Sequence, residues 1–499
     1  MTVENKGLLK LAKMMPQRIN LASLHFPEMT HIPPLITAVI CAGLLSLTLQ
    51  GCDHNSAVTE QRLTNSSDNS NTGKNQQRRL AIRIDGNKFR NERGEIVQLR
   101  GVNLMGMEYI AIAGVSPANP LPTVVDSTWG ALHQWRVNVI RIPLNEISYL
   151  GLKCVWPFTG PVFRKAGNIH DADPGHNYKK RLKEIVDRAT AENLYVILDL
   201  HATAPDDYSN AANGISTQCA FELNPLPDQD HAPEFWKELA STYKDYPNVM
   251  FELFNNPYID EWPYFKGNKR SAWQALRDGT VVNLYLPLWP SLKKHTWRSA
   301  GMQQLLDTVR STGATNVILQ GSISHSSDLE LWLTYKAIDP LNQTAAAWHA
   351  FPGKEFKWGE RCYNFPGPWC DERAYSYASA ILAAGYPVIV TEFGDKNSPG
   401  TTGAPFVSSL LPHLDALGIS YLGWTFSATA LLENQLIKDN FGTPTDGYGE
   451  YVKKHYLCAA LKTTRCNAKE NSAGLNPSQE TPQSPQSAGK GWDPLLSPI

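Results

Sequence analysis

The chain has 499 residues, and its 46 lysines and arginines nearly balance 47 aspartates and glutamates, which gives a formal net charge of −1 at pH 7. Neither a basic excess nor a basic block is present, so the composition argues against a nucleic-acid partner. This length accommodates two or three ordinary domains or one large α/β barrel.

Residues 1–52 have the composition of a targeting segment. Basic residues between positions 6 and 18 precede an apolar run over residues 32–49, which two prolines interrupt and which is short for a transmembrane span. The run ends at Gly51-Cys52, which resembles a bacterial lipoprotein signal cleaved before its lipid-carrying cysteine. We therefore expect export, with Cys52 anchoring the protein through lipid at a periplasmic or cell-surface membrane. The alternatives are a plain signal peptide, with secretion, or a short anchor.

Polar, low-complexity segments flank the part of the chain that is predicted to fold. Residues 53–79 and 467–499 contain few large apolar side chains. They cannot bury enough surface to fold, so we expect a flexible linker and a disordered tail. The folded domain is predicted to span residues 80–466.

Six cysteines lie within this domain. An even number on an exported chain favours disulfides. Proximity in the sequence suggests the pairs Cys362–Cys370 and Cys458–Cys466, with Cys154–Cys219 remaining. A metal site is the alternative, and no CxxC spacing supports it.

The predicted elements begin with two short strands around turn sequences. Ile82–Phe89 contains an Asp-Gly turn and Ile96–Leu99 follows an Arg-Gly turn, the pattern of a β-hairpin. Apolar runs then alternate with amphipathic helical patterns such as residues 178–192 and 405–417. The eight predicted strands are residues 99–104, 137–143, 194–200, 249–254, 316–320, 345–349, 387–391 and 419–424.

Strands that are apolar on both faces and alternate with helices indicate a parallel sheet. We predict an α/β fold, a (β/α)8 TIM barrel with a short N-terminal β-hairpin. A doubly wound open sheet is the alternative, but no glycine-rich phosphate loop follows the first strand.

Polar side chains stand at or just beyond the C-terminal ends of the predicted strands. They are Asn103, Arg141, His201, Asn255, Asn256, His349, Glu392 and Trp424. Since that end of a barrel carries the active site, we expect them to converge on one cleft. Any one of them alone is as well explained as a hydrogen-bonded barrel side chain.

Two of these strand ends resemble motifs of glycoside hydrolase family 5, the cellulase family of barrel enzymes. Ile389–Gly394, with sequence IVTEFG, is similar to the strand-seven nucleophile motif, and Phe251–Pro257, FELFNNP, to the strand-four motif Asn-Glu-Pro. Further matches, one on each of several other strands, extend the resemblance over residues 80–466. They are Arg100-Gly101-Val102-Asn103, Asn138-Val139-Ile140-Arg141, Asp199-Leu200-His201, His349 and Trp424.

The resemblance implies a retaining mechanism with two carboxyl groups. Glu392 would be the nucleophile, held ionised by Arg141, or alternatively only a buried partner of that arginine. Substrate-binding roles would fall to Asn255 at the sugar 2-hydroxyl, to His201 and His349 beside the scissile bond, and to Trp424 as a stacking floor.

The sequence departs from the family pattern at the second carboxyl group. Asn256 takes the place of the acid/base glutamate, and an amide has no proton that titrates near neutral pH. Phe351 also stands where relatives often carry a tyrosine that contacts the nucleophile. Glu252 lies too deep in the strand to replace the missing acid. Asp260 and Glu261, on the loop just beyond the strand, could swing in to replace it, but loop carboxylates are usually solvated.

Two further features of the sequence can be explained either by a structural role or by a functional one. The long segment Tyr258–Trp297 carries seven aromatic residues beyond Tyr258 itself, and they suit a polysaccharide cleft or the core of an insertion. His170, Asp171, Asp173 and His176 match no defined metal spacing and are expected in a solvated loop. No metal and no cofactor are predicted.

The sequence thus predicts an exported glycosidase of β-linked polysaccharides or oligosaccharides, cellulase-like and retaining, with turnover impaired by Asn256. A glycan-binding protein on the same barrel is the alternative from another functional class. A third possibility is that Asn256 is an altered position in an ordinary hydrolase.

Overall fold

The computed structural model describes nine stretches of the chain, all within one compact unit, Gln76–Ile499. The described residues are 80–108, 124–155, 169–205, 224–261, 268–286, 293–352, 368–395, 404–428 and 434–461. The predicted targeting segment, linker and C-terminal tail lie outside them. Within these stretches, no helix combines the length and apolar character that crossing a membrane requires.

Fifteen strands are described. They are β1 Ile82–Asp85, β2 Lys88–Asn91, β3 Ile96–Val97, β4 Arg100–Asn103, β5 Val139–Asn145, β6 Lys153–Val155, β7 Ile169–Asp171, β8 Tyr195–Ala202, β9 Val249–Glu252, β10 Val281–Leu286, β11 Lys293–Arg298, β12 Ile318–Gln320, β13 Thr344–Ala350, β14 Val388–Phe393 and β15 Ser420–Gly423. In the same stretches the helices are α1 Asp126–Gln134, α2 Glu146–Leu150, α3 Tyr178–Ala191, α4 Ala232–Tyr243, α5 Lys269–Asp278, α6 Met302–Ser311, α7 Ile323–Ser326, α8 Trp332–Tyr335, α9 Pro368–Ala383, α10 Pro405–Leu417 and α11 Tyr448–Leu461.

Eight of the strands form a closed parallel barrel, in the order β4, β5, β8, β9, β12, β13, β14, β15 and back to β4. Helices lie between successive barrel strands. The predicted (β/α)8 fold is therefore confirmed, and each of the eight predicted strands coincides with one of these. The strand ends that the sequence singled out consequently share one rim.

The N-terminal hairpin closes the opposite end of the barrel. β1, β2 and β3 form an antiparallel sheet, and Ile84 and Phe89 belong to the same buried cluster as Leu99 and Val317, which precede barrel strands. These apolar contacts exclude water from the bottom of the barrel, so the polar groups of the interior face only the C-terminal mouth.

The long segment after β9 is an insertion with its own structure. It contains α5 and the antiparallel pair β10 and β11. Trp273 and Trp297 are 1% and 0% exposed, so these two rings pack its core. Of the other five aromatic residues of the predicted set, Tyr285 lies on β10, and four lie outside the described residues: Trp262, Tyr264, Phe265 and Trp289.

Two of the six cysteines of the domain have their state described. Cys154 and Cys458 are disulfide-bonded, and the cysteines predicted to pair with them, Cys219 and Cys466, lie outside the described residues. Which cysteines pair therefore stays a prediction.

Candidate active site

Polar side chains reach the barrel mouth because alternate positions of each strand point inward. On β5, Val139 belongs to the interior core and Arg141, two residues nearer the C-terminal end, is completely buried. β8 repeats the pattern, with Ile197 in the interior core followed by Asp199 and then His201. The two-residue period of a strand therefore places a charged side chain next to an apolar one on the interior face, with the charged residue nearer the C-terminal end of the barrel.

Arg141 is the cation at the centre of this mouth. Its Nε donates to Glu252 Oε2 at 2.7 Å, Nη1 donates to Glu392 Oε1 at 2.7 Å, and Nη2 lies 3.0 Å from Asp199 Oδ2. All four side chains are buried. We refer to them as the Arg141 cluster.

Two amides complete the shell of the guanidinium. Nη1 also donates to Asn103 Oδ1 at 2.9 Å, and Nη2 donates to Asn255 Oδ1 at 2.8 Å. Asn103 is fixed in turn, because its Nδ2 donates to the carbonyl of Thr391 at 3.0 Å. The arginine, on β5, therefore holds residues from four other barrel strands or strand ends, β4, β8, β9 and β14, in one arrangement.

A β-bulge brings two successive residues of β14 to this interior. The pairing register of β14 shifts between Val390 and Phe393. Thr391 donates its hydroxyl to Glu252 Oε1 at 2.9 Å, while the next residue, Glu392, accepts from Arg141. In a regular strand these neighbours would face opposite sides, so the bulge aims Glu392 into the mouth.

The charges in the Arg141 cluster are unequal. Burial raises the pKa of Asp199 well above its ordinary value, and Glu252 and Glu392 add repulsion. Burial also opposes ionisation of Glu392, but the charges of His349 and Arg141 outweigh it and lower its pKa. Glu252 likewise has a lowered pKa, since Arg141 and His349 overcome its desolvation. Within the Arg141 cluster, ionisation is therefore favoured at the two glutamates relative to Asp199.

His201 is a neutral imidazole with a defined tautomer. Burial lowers its pKa to about 3. Its Nδ1 lies 2.8 Å from Asp199 Oδ2 and its Nε2 lies 3.3 Å from Asn255 Nδ2. Since the Asn255 oxygen already accepts from Arg141, the amide nitrogen donates to Nε2 and Nδ1 carries the proton. The second N–H of the Asn255 amide has no acceptor within the described part of the chain.

His349 stands between Glu392 and Asn256. Its Nδ1 lies 2.9 Å from Asn256 Oδ1 and 3.6 Å from Glu392 Oε2. Asn256 is half-buried, whereas Glu392 is only 4% exposed. The two residues predicted as the acid/base position and the nucleophile are therefore neighbours around one imidazole nitrogen.

Trp424 forms a wall of the same mouth. Its ring stacks on His201 with centroids 5.6 Å apart and an interplanar angle of 4°. Its carbonyl accepts a hydrogen bond from the Tyr448 hydroxyl at 2.8 Å, and its side chain is half-buried. A flat, fixed and partly accessible indole is suited to stacking on a sugar face.

The structure thus brings together every predicted site residue, namely Glu392, Asn256, Arg141, His201, Asn255, His349 and Trp424. Their individual chemical roles stay predictions. The ring of Phe351 packs against Gly394, two residues after Glu392. The contact is so close that a Cβ added to Gly394 would lie 2.7 Å from the ring. An aromatic side chain without a hydroxyl therefore packs close to the Glu392 segment.

The acids considered as replacements for the missing proton donor are all engaged elsewhere. Glu252 and Glu392 bind the same guanidinium, so Glu252 is not distant from the nucleophile position. Its oxygens accept from Arg141 and Thr391, and these bonds make it unsuitable as a proton donor. Asp260 is buried and accepts from the backbone N–H and hydroxyl of Ser324 at 2.9 and 2.5 Å, so the expectation of a solvated loop acid was wrong for this residue. Glu261 lies 3.2 Å from His325.

The cluster of histidines and aspartates after β6 has a structural use. Asp171 accepts from the N–H of Asp173, and Asp173 accepts from the N–H groups of Asn177 and Tyr178 at the start of α3. Asp173 thus caps the start of α3, where unpaired N–H groups favour negative charge, and Asp171 fixes the turn before it. Asp173 is buried, so the expectation of a solvated loop was wrong for this residue.

Sequence reasoning missed one acid near the mouth. Glu108 follows β4, is 7% exposed, and accepts from the Gly106 N–H through Oε2 at 2.6 Å. Burial raises its pKa to about 8. A glutamate in a loop gives no sequence signal for such burial, because the surrounding loops create it.

A family model described as cellulase, glycosyl hydrolase family 5, matches residues 91–430 of this chain. Endoglucanase MaCel5A of Microbulbifer sp. (strain ALW1) is 22% identical over 349 residues, which cover 69% of this chain and 51% of that protein. Cellulase CelDZ1 of Thermoanaerobacterium sp is 24% identical over 357 residues, covering 69% of this chain and 70% of that protein. This chain spans about half the length of the first of these relatives.

Solved structures show the same fold. The β-glucanase SdGluc5_26A from Saccharophagus degradans superposes with a TM-score of 0.51 at 21% identity, covering 77% of this chain and 94% of that one. The structure of the same β-glucanase in complex with cellotetraose gives a TM-score of 0.50 at the same identity and coverage.

Proposed function

This chain belongs to glycosyl hydrolase family 5, and from that premise we propose that it is a β-glycan hydrolase with Glu392 as nucleophile and without a side-chain proton donor at Asn256. The observation that carries the proposal is the environment of Glu392. One of its oxygens accepts from Arg141 and the other faces His349. The pKa of this carboxylate is lowered despite burial, so it is charged and ready to attack.

The first chemical step would use only the groups already described. A Glu392 oxygen attacks the anomeric carbon, and the bond to the leaving oxygen breaks as the glycosyl-enzyme ester forms. Arg141 keeps the carboxylate ionised and oriented before the attack. The Asn255 amide donates to the sugar 2-hydroxyl, and Trp424 stacks on the ring.

Asn256 would limit both halves of the reaction. An amide cannot protonate a departing alcohol, and it cannot take a proton from the water that hydrolyses the ester. Positioned proton transfer is typically worth about 10²- to 10⁴-fold in rate. We therefore propose weak hydrolysis of natural glycans, combined with normal attack on substrates whose leaving group needs no proton.

The proposed substrate class is a β-linked glucan. The relatives described above are named endoglucanase, cellulase and β-glucanase, and one structure of the latter contains cellotetraose. The stacked pair of His201 and Trp424 is compatible with such a chain. Export, the lipid on Cys52 and pairing of the cysteines are further parts of the proposal, and they are supported by the sequence pattern and by the disulfide-bonded state of Cys154 and Cys458.

The test compares leaving groups on the unmodified chain. We expect cleavage of 2,4-dinitrophenyl β-cellobioside, little release of sugar from cellohexaose or barley β-glucan, and acceleration by azide with β-cellobiosyl azide as product. Azide attacks the ester without needing a general base, so its effect isolates the second step.

Asn256→Glu is the matched variant, and we expect it to restore glycan hydrolysis by about 10²- to 10⁴-fold and to abolish the azide effect. Asn256→Gln controls for the longer side chain and should restore nothing. Full-rate glycan hydrolysis by the unmodified chain would contradict the proposal.

A glycan-binding protein is the second candidate. The observation that favours it is the hydrogen bond between Asn256 and His349. This bond holds the Asn256 amide in one orientation, so the site is well formed without an acid at this position. An inert Asn256→Glu variant, together with oligosaccharide binding measured by calorimetry, would support this candidate over hydrolysis.

A further inference from the structure

A second group of buried carboxylates lies at the same end of the barrel and takes no part in the chemistry described above. Glu146 begins α2 directly after β5, and Asp228 precedes α4; both side chains are 0% exposed. His231 lies against them, with Nδ1 3.5 Å from Asp228 Oδ1 and 3.0 Å from the carbonyl oxygen of Ala204. We refer to these three residues as the Glu146 cluster.

Each carboxylate of the Glu146 cluster uses one oxygen for local structure. Glu146 Oε1 accepts the N–H of Ala204, just beyond β8, at 2.5 Å, and Asp228 Oδ1 accepts the N–H of His231 at 2.7 Å. The N-terminus of α2 does not need Glu146 as a cap, because Asn145 Oδ1 already accepts from Ser148 there.

No N–H or hydroxyl group of the described residues donates to the other two oxygens. Glu146 Oε2 and Asp228 Oδ2 are both buried and unsatisfied. Neither acid forms an ion pair with a lysine or arginine of the described residues. Two carboxylates taken out of water without a counter-charge are strongly unfavourable, so the arrangement requires a proton or a cation between them.

We propose that the Glu146 cluster binds one divalent metal cation. Glu146, Asp228 and His231 each offer one ligand atom, and these atoms all lie within 4.8 Å of one another, a spacing that one ion can bridge. A mixed set of two carboxylates and an imidazole suits Zn²⁺ or Mn²⁺ better than Ca²⁺, which prefers oxygen ligands alone.

The charge balance supports a cation. Burial raises the pKa of Glu146 well above its ordinary value. The charge of Asp228, a hydrogen bond that protonated Glu146 makes to Asp228, and the charge of the nearby Asp230 raise this pKa further. A metal ion would remove this penalty and would join the loop after β8 to the end of β5. Those two strands carry His201 and Arg141, so the ion acts as a brace for one side of the barrel mouth.

The experiment uses the full chain, stripped with EDTA and titrated with Zn²⁺, Mn²⁺ and Ca²⁺ by calorimetry, with metal content checked by mass spectrometry. We expect one equivalent of Zn²⁺ or Mn²⁺ to bind and to raise the Tm by about 3–5 °C at saturation. Glu146→Gln and Asp228→Asn should each weaken binding by roughly 100-fold or more, since each removes an anionic ligand.

Glu234→Gln is the matched control, because Glu234 is an exposed acid on α4, and this variant should bind metal as the unmodified chain does. His231→Ala changes only the partly accessible ligand, so it stays informative if the buried variants fail to fold; it should weaken Zn²⁺ binding and leave any weak Ca²⁺ binding unchanged. No stoichiometric Zn²⁺ or Mn²⁺ binding would overturn the proposal in favour of a shared proton. Equal binding by all variants, or selective Ca²⁺ binding, would also overturn it. These readouts do not depend on hydrolase activity.

Discussion

Two clusters of buried acids at one end of the barrel differ in how their charge is balanced. The Arg141 cluster holds three carboxylates around an internal guanidinium, and it leaves Glu392 ionised with a lowered pKa. The Glu146 cluster has two carboxylates and no internal arginine or lysine among the described residues, and the pKa of Glu146 is raised. Burial is similar in both, so the built-in cation accounts for the lowered pKa of Glu392 and the raised pKa of Glu146.

The largest expected effect comes from changing one acid in each cluster in the same way. Glu392→Gln should lower the rate of 2,4-dinitrophenyl β-cellobioside cleavage by roughly 10⁴-fold or more, because it removes the attacking group. Glu146→Gln, the same chemical change in the other cluster, should leave that rate within about twofold at saturating metal. Steady-state kinetics measure the cleavage rate of each variant. Similar rate losses in the two variants would contradict the proposed difference in function between the two clusters.

Removing the internal cation should make the Arg141 cluster resemble the other one. Arg141→Met leaves its three carboxylates without their partner, and we expect a loss of about 3–5 kcal/mol in the free energy of unfolding. Urea denaturation measures this loss. Arg188→Met is the control, because that arginine pairs with Glu192 at the surface, where ion pairs are worth about 0–1 kcal/mol.

Trp424, the stacking residue, should affect oligosaccharide affinity and should leave the ionisation of the Arg141 cluster unchanged. Trp424→Ala removes the indole beside His201, and we expect oligosaccharide affinity to fall by about 1–3 kcal/mol. Calorimetry with cellotetraose measures the loss. Trp273→Phe, in the core of the insertion, is a control that should leave affinity unchanged. Unaltered affinity in Trp424→Ala would remove this residue from the proposed binding site.

The pH dependence should show a single titration where hydrolases with an acid/base residue show two. Glu392 must be ionised to attack and its pKa is lowered, so activity on the dinitrophenyl substrate should fall only as the pH drops below the ordinary range of a glutamate. Asn256 does not titrate, so it contributes no loss of activity at high pH. Asn256→Glu should add that loss for natural glycans and give a bell-shaped profile. A bell-shaped glycan profile in the unmodified chain would indicate another acid.

The barrel was predictable because its eight strands are apolar on both faces and alternate with helices. The pattern depends only on neighbouring residues, so it can be detected in the sequence even where the strands and helices are short. The run Ser324, His325 and Ser326 was not predictable, since all three residues adopt positive φ angles that such side chains rarely take. Tertiary contacts hold them there, such as the bond from Ser324 to Asp260.

The site was predictable as a set of residues but not as a network. Strand ends identify Arg141 and Glu392, whereas the shared guanidinium depends on closing the barrel and on the bulge in β14. Glu146 and Asp228 are far apart in the sequence, and loops with no periodic pattern bring them together. Charged residues inside apolar strands, such as Glu252, are the sequence signal for buried ion pairs, because charged side chains are almost never fully buried unless paired.

The most direct test of the central claim, that Glu392 is a charged nucleophile, is covalent trapping. Incubation of the unmodified chain with 2,4-dinitrophenyl 2-deoxy-2-fluoro-β-cellobioside should release one equivalent of dinitrophenolate and leave the sugar bound to the protein. Mass spectrometry of the digested adduct should place the label on Glu392. Labelling of a different acid, or release of dinitrophenolate without any adduct, would contradict the assignment.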